Sequence, residues 1–110
     1  MSIHLFNDYF YVDVLKDLLP LIKHLGITPR EVDITLLDIS KLSGVDMSSH
    51  RFNLADTKWP IIIYENGSLV DGRHRLRKII TGGSKTVQAY VINPSLCDKV
   101  KKRRCNNELG

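Results

Sequence analysis

The chain has 110 residues, of which 43% are hydrophobic and 25% charged, enough apolar content for one modest core without disulfide or metal staples. Two cysteines, Cys97 and Cys105, are too few for a disulfide framework, and no histidine accompanies them at zinc-site spacing. No apolar run approaches the roughly 20 residues of a membrane span, and the N-terminus lacks the basic-then-apolar pattern of a signal peptide, so a reduced, cytoplasmic, single-domain protein over 1–110 without a membrane partner is expected.

The net charge of +4 is unevenly spread. Residues 1–71 hold 6 Lys/Arg and 10 Asp/Glu, whereas residues 72–110 hold 10 and 2. Positive charge therefore begins at Gly72. Such a half suits a phosphate-bearing partner; the plainer alternative is a solvated face followed by a solubilising tail.

In chain order, residues 8–25 read as an amphipathic helix. Phe10 or Tyr11, Val14, Leu15, Leu18, Leu19, Ile22 and Leu25 recur at three- and four-residue spacing. Asp8 would cap its start and Gly26 would end it. Pro20 removes an intrahelical bond, so a kink or two short helices are expected there. Thr28 to Glu31 reads as a turn or one short helical turn, and residues 32–39 (VDITLLDI) alternate as a strand. Residues 43–57 read as a polar loop with one helical turn.

Ile61 to Tyr64 is strongly β-prone and follows Pro60, which suits a strand start. Asn66-Gly67 predicts a two-residue type I′ hairpin turn, with Leu69-Val70 as the returning strand. Gly72 breaks that strand and a helix opens at once. Its apolar stripe is Leu76, Ile79 and Ile80, and Gly82-Gly83 ends it. Lys85 to Ile92 is a further strand. Asn93 as cap and Pro94 at the first helical position predict a last, basic helix over 94–104.

The stretch Asp71-Gly72-Arg73-His74-Arg75 carries the chemistry. A helix start exposes unpaired N–H groups at the positive end of the macrodipole, which favours an anion. Gly72 would let a phosphate approach the backbone. Arg73 and Arg75 would grip it with planar forks. His74 would donate or shuttle a proton. Asp71 would orient an arginine, hold a metal ion or accept a proton from a hydroxyl, or would serve simply as the helix N-cap. Arg77 and Lys78 read as solvent-facing. Glu65, Asp56 and Asp46 are all open as a general base.

The run PIIIYENGSLVDGRHRLRKIITGGSKTVQAYVI resembles the core of the ParB/sulfiredoxin superfamily, with its strand, hairpin, Gly-x-x-Arg turn opening a helix, glycine and closing strand. The resemblance covers about residues 34–92, extended upstream by LLDISKLSGVDMSSHRF. It implies an α+β fold: a small mixed β-sheet with flanking helices, to which this chain adds its N-terminal amphipathic helix. It also implies that Gly72, His74 and Arg75 match the box glycine, histidine and arginine, and that Arg51 matches the upstream loop arginine. Where sulfiredoxins carry a reactive cysteine this chain has Arg73, which removes cysteine chemistry at that position. Where chromosome-partitioning relatives have a glutamate, Arg73 also stands. The Asp-Gly-x-His-Arg form is most similar to the kinase-like branch and to ParB-related phage proteins.

Two functions are expected on this basis. The first is a nucleotide- or phosphate-binding domain, acting as a small phosphotransferase or nucleotide hydrolase. Its catalytic residues would be Asp71, His74 and Arg75. Its phosphate contacts would be Gly72, Arg73, His74, Arg75 and Arg51. Its cofactor would be ATP or another nucleotide with Mg2+, with no metal site of the protein's own, and its partner a nucleotide or phosphorylated small molecule. The second is a non-catalytic phage-type protein that binds nucleic acid or a host protein through Lys99, Lys101, Lys102, Arg103 and Arg104.

Overall fold

A computed structural model describes residues 3–45 and 48–104. The chain is α+β, with two small sheets and flanking helices. It divides into two compact units. One joins the segment up to Ile27 with the segment from Asn93 onward, and the other is Thr28–Ile92.

The first unit is built on a hairpin, β1 (Ile3–Leu5) and β2 (Phe10–Asp13). The side chain of Asn7 folds the tip by accepting from the amides of Tyr9 and Phe10. The helix expected over 8–25 is therefore corrected at its start. Residues 10–13 are a strand, since Phe-Tyr-Val is β-prone and has partners on both sides: Val12 opposite His4 on β1, and Phe10 opposite Arg103 on β7 (Lys102–Arg103). Asp13, not Asp8, is the capping residue, accepting from the Lys16 amide at 3.0 Å. A π-helical segment, Val14–Leu18, then leads into α1 (Leu19–His24). Pro20 falls in the first turn of α1, where a missing N–H costs nothing. The four-residue spacing of Val14, Leu18 and Ile22 does form the buried stripe, together with Val12 and Cys97. At the other end, α4 spans Pro94–Val100, with Asn93 accepting from the Ser95 amide. The helix expected to reach 104 stops at Val100, because the chain turns to add β7 to β2.

The second unit is a four-stranded mixed sheet in the order β3-β6-β4-β5. Its strands are β3 (Arg30–Asp33), β4 (Ile61–Tyr64), β5 (Leu69–Asp71) and β6 (Thr86–Ile92). Only the β4–β6 pair is parallel, and it is bridged by β5 and α3 (Arg73–Thr81). Ile61, Ile63, Leu69, Val87 and Ala89 on one face of the sheet pack with Leu76 of α3 and with Leu37 and Leu42. Ile62, Val70 and Ile92, on the other face, are buried as well. That double burial is why the Ile61–Ile63 run is continuously apolar.

Two expectations in this unit need correction. The strand expected over 32–39 lies at Arg30–Asp33, paired in register with β6. It ends where the Asp33 carboxylate accepts from both the amide and the hydroxyl of Thr35, opening a 3-10 turn at Ile34–Leu36. Those two bonds, the amide's first, hold the Asp33 carboxyl below its ordinary pKa. The hairpin between β4 and β5 is real, but its turn is not type I′, since among the described residues only glycines have positive φ. Gly67 (φ 89°) donates to the Tyr64 carbonyl and the Tyr64 amide donates to that of Ser68. That is the three-residue loop with a glycine bulge.

Candidate functional site

The candidate site is where β5 passes into α3. Asp71 is the last residue of β5, Gly72 sits in the left-handed region at φ 105°, and the helix begins at Arg73. No side chain caps α3. Asp71 is thus not the N-cap; its carboxylate faces Arg75 instead. The first amides of an α-helix have no partner one turn back, so this end of α3 is an electropositive N-terminus. It is built on a nine-residue helix whose far end is closed by the Gly83 amide donating to Ile80 and the Ser84 amide donating to Ile79.

Gly72 is required by packing as much as by conformation. A Cβ there would lie 2.7 Å from Cγ2 and 3.3 Å from Cα of Ile61. The space vacated by the missing side chain is therefore filled by Ile61 of β4, which corrects the expectation that it admits a phosphate to the backbone.

The two box arginines separate in role. Arg75 is half-buried; its Nη2 donates to Asp71 Oδ2 at 2.7 Å, and its Nη1 donates to the Pro60 carbonyl at 2.8 Å. Two of its five N–H donors thus tie the end of β5 to the residue preceding β4, and three remain. Arg73 is exposed, and its guanidinium lies beside Gly44, in the 3-10 turn Ser40–Gly44. His74 is half-buried on the first turn. Arg73 and Arg77 lie one turn apart on the same flank of α3. Lys78 does not face solvent freely. Its Nζ donates to the carbonyls of Asn53 and Ala55 at 3.1 and 3.2 Å, closing the C-terminus of α2 (His50–Leu54).

The remaining candidates are dispersed. Arg51 belongs by its backbone to α2, and its side chain lies outside the described part of the structure. Asp46 lies outside the described residues. Asp56 is exposed and accepts from the Lys58 amide, and Glu65 is exposed at the hairpin tip. Among the described residues no group of three His, Cys, Asp or Glu could hold a metal ion. The Asp71 carboxylate is paired to Arg75.

Of the basic C-terminal residues, three are engaged within their own unit. Lys101 pairs with Asp98 and lies over the Phe10 ring at 4.3 Å. Lys102 pairs with Asp17 at 2.9 Å, and that hydrogen bond raises its pKa. Arg104 donates to the carbonyls of Tyr9 (amide) and Asp8 (guanidinium). Lys99 and Arg103 are exposed. No described helix is long and apolar enough to cross a membrane.

Sequence reasoning missed the Pro60 carbonyl and the Lys78 latch, because both contacts join residues far apart in the chain. Comparison with protein-family models, with curated proteins and with solved structures finds no match to this chain.

Proposed function

We propose that the second unit is a phosphate-binding domain of the ParB/sulfiredoxin type, taking the phosphate of a nucleotide or of a phosphorylated small molecule at the start of α3. The observation that carries this reading is the strand–Gly72–helix turn itself: an uncapped helix start with Arg73 exposed beside it. The amides of Arg73, His74 and Arg75 and the Arg73 fork supply the anion contacts. Arg75, spent on Asp71 and Pro60, keeps the turn in shape and has donors left for a second oxygen. His74 stands on the same turn and supplies a proton donor if phosphoryl transfer or nucleotide hydrolysis takes place there. Any Mg2+ enters on the nucleotide's own oxygens.

Binding through the basic C-terminal residues is the weaker reading, since Lys101, Lys102 and Arg104 already have intramolecular partners. A thermal-shift panel of pyrophosphate and nucleotides, with and without Mg2+, tests the proposal. Stabilisation that rises with ligand concentration and is lost in Arg73→Ala supports it. No shift with any member, or equal shifts in Arg73→Ala, contradicts it.

A further inference from the structure

Four strands form the edges of the two sheets, and they are guarded unequally. An open edge presents unpaired N–H and C=O groups to any other strand, and charged side chains ordinarily blunt it. β3 carries Arg30, Glu31 and Asp33, β7 is Lys102–Arg103, and β5 ends in the Asp71–Arg75 pair. β1 reads Ile3-His4-Leu5 and bears neither a lysine, an arginine nor a carboxylate. Ile3 and Leu5 are 47% and 59% exposed and share one face, while His4 is buried on the other. Among the described residues no strand lies along the outer side of β1.

The hydrogen bonds around β2 fix which backbone groups of β1 look outwards. In an antiparallel pair, residues facing each other alternate between exchanging both of their bonds and exchanging none. The Phe6 amide donates to the Phe10 carbonyl at 3.0 Å, one step along from the Leu5–Tyr11 pair. His4 therefore bonds to Val12, and the N–H and C=O groups of Ile3 and Leu5 point away from β2. The far side of β2 agrees. The Arg104 amide donates to the Tyr9 carbonyl at 2.8 Å, so Tyr11, two residues on, turns its own groups towards β7 and away from Leu5.

We infer that β1 is the pairing edge of a symmetric homodimer, in which two copies of this chain join antiparallel through Ile3–Leu5 and their two three-stranded sheets become one. The strand is its own complement. With the two-fold axis at His4, Ile3 of each copy faces Leu5 of the other. Both Ile3–Leu5 pairs then exchange their two bonds, and every outward N–H and C=O of the strand is used. The exposed Ile3 and Leu5 side chains of both copies form one apolar strip on a single face. A slip of one residue would set inward-pointing groups against outward-pointing ones. The two-fold operation consumes both β1 edges and leaves neither for a third copy. A three-residue strand covers much less than the about 800 Å² per partner of a standard interface, so the dimer is weak and depends on concentration.

Sedimentation equilibrium of the full chain, from about 10 μM to about 1 mM, should show the mean mass rising from that of one chain towards that of two. Over the same range amide exchange should slow most at Ile3 and Leu5, whose donors face the open edge, and much less at His4 and Phe6. Leu5→Lys should weaken association at least about tenfold. Leu5→Pro removes only an outward donor, which an edge strand tolerates. It should weaken association comparably while the other amides of β1 and β2 stay protected. The exchange measurement uses the parent chain, so it decides the matter even where a variant does not fold. The mass of a single chain throughout, or assemblies that grow past two chains, would overturn the inference. So would a dimer in which exchange at Ile3 and Leu5 is unchanged, or one that both folded variants leave intact.

Discussion

At the scale of single residues, Arg75 and Arg73 separate two kinds of effect that the sequence merges. Removing the Arg75 side chain leaves the Asp71 carboxylate and the Pro60 carbonyl, both partly buried, without their donor. Arg75→Ala should therefore cost stability, about 1–3 kcal/mol, and Arg75→Lys should recover only part, since one ammonium cannot reproduce two fixed contacts. Arg73→Ala, at an exposed position, should change stability by no more than about 0.5 kcal/mol while removing anion binding. Urea denaturation of the three variants checks this, and a stability loss in Arg73→Ala like that of Arg75→Ala would contradict it. The glycines give a second test. From turn chemistry alone, Gly67→Ala costs on the order of 1 kcal/mol. In the fold, a Cβ at Gly67 would run into the Leu36 carbonyl oxygen, and one at Gly72 would meet Ile61. Both substitutions should therefore cost more than about 1 kcal/mol, adding overpacking to strain. A Gly67→Ala variant as stable as the parent would show that the 36–37 backbone yields.

At the scale of elements, the sequence was most readable where local chemistry decides the outcome. Gly72 and Gly82 bound α3, Leu76, Ile79 and Ile80 are its apolar stripe, and Pro60 precedes β4. It was least readable where pairing decides. The three- and four-residue spacing that marks 14–22 runs on through Phe10, yet β2 forms because β1 and β7 lie beside it. The alternation of 32–39 is cut short by a carboxylate that caps Thr35. At the candidate site, the helix start at Gly72 was legible, but not which of the two arginines stays exposed. The commitment of Arg75 to a carbonyl 15 residues away was not, nor that of Lys78 to carbonyls 25 and 23 residues away. The Lys78 latch carries a prediction of its own. Lys78→Met should speed amide exchange in α2 and in 53–58 and leave β4 and β6 protected, since the C-terminus of α2 loses its cation. Uniformly faster exchange would mean that Lys78 supports the core instead.

At the scale of the whole molecule, the first and last segments belong to one unit, and the basic residues Lys101, Lys102 and Arg104 are tied into it. Sequence reading predicts that deleting 99–110 leaves the domain folded, because few apolar side chains are lost. The structure gives a different expectation, since the deletion takes away β7, the Lys102–Asp17 pair and the Arg104 bond to Tyr9. Ending the chain at Asp98 should lower the melting temperature and expose the amide of Tyr11, which pairs with Lys102, to faster exchange, with β4 and β6 little changed. Unaltered exchange at Tyr11 would show β7 to be dispensable.

The central claim, that the start of α3 is an anion site, is tested most directly by tracking backbone amide resonances of the full chain during a pyrophosphate titration. The largest, saturable shifts should fall on Arg73, His74 and Arg75 and should vanish in Arg73→Ala. Shifts confined to Lys99–Arg104, or none at saturating ligand, would contradict it.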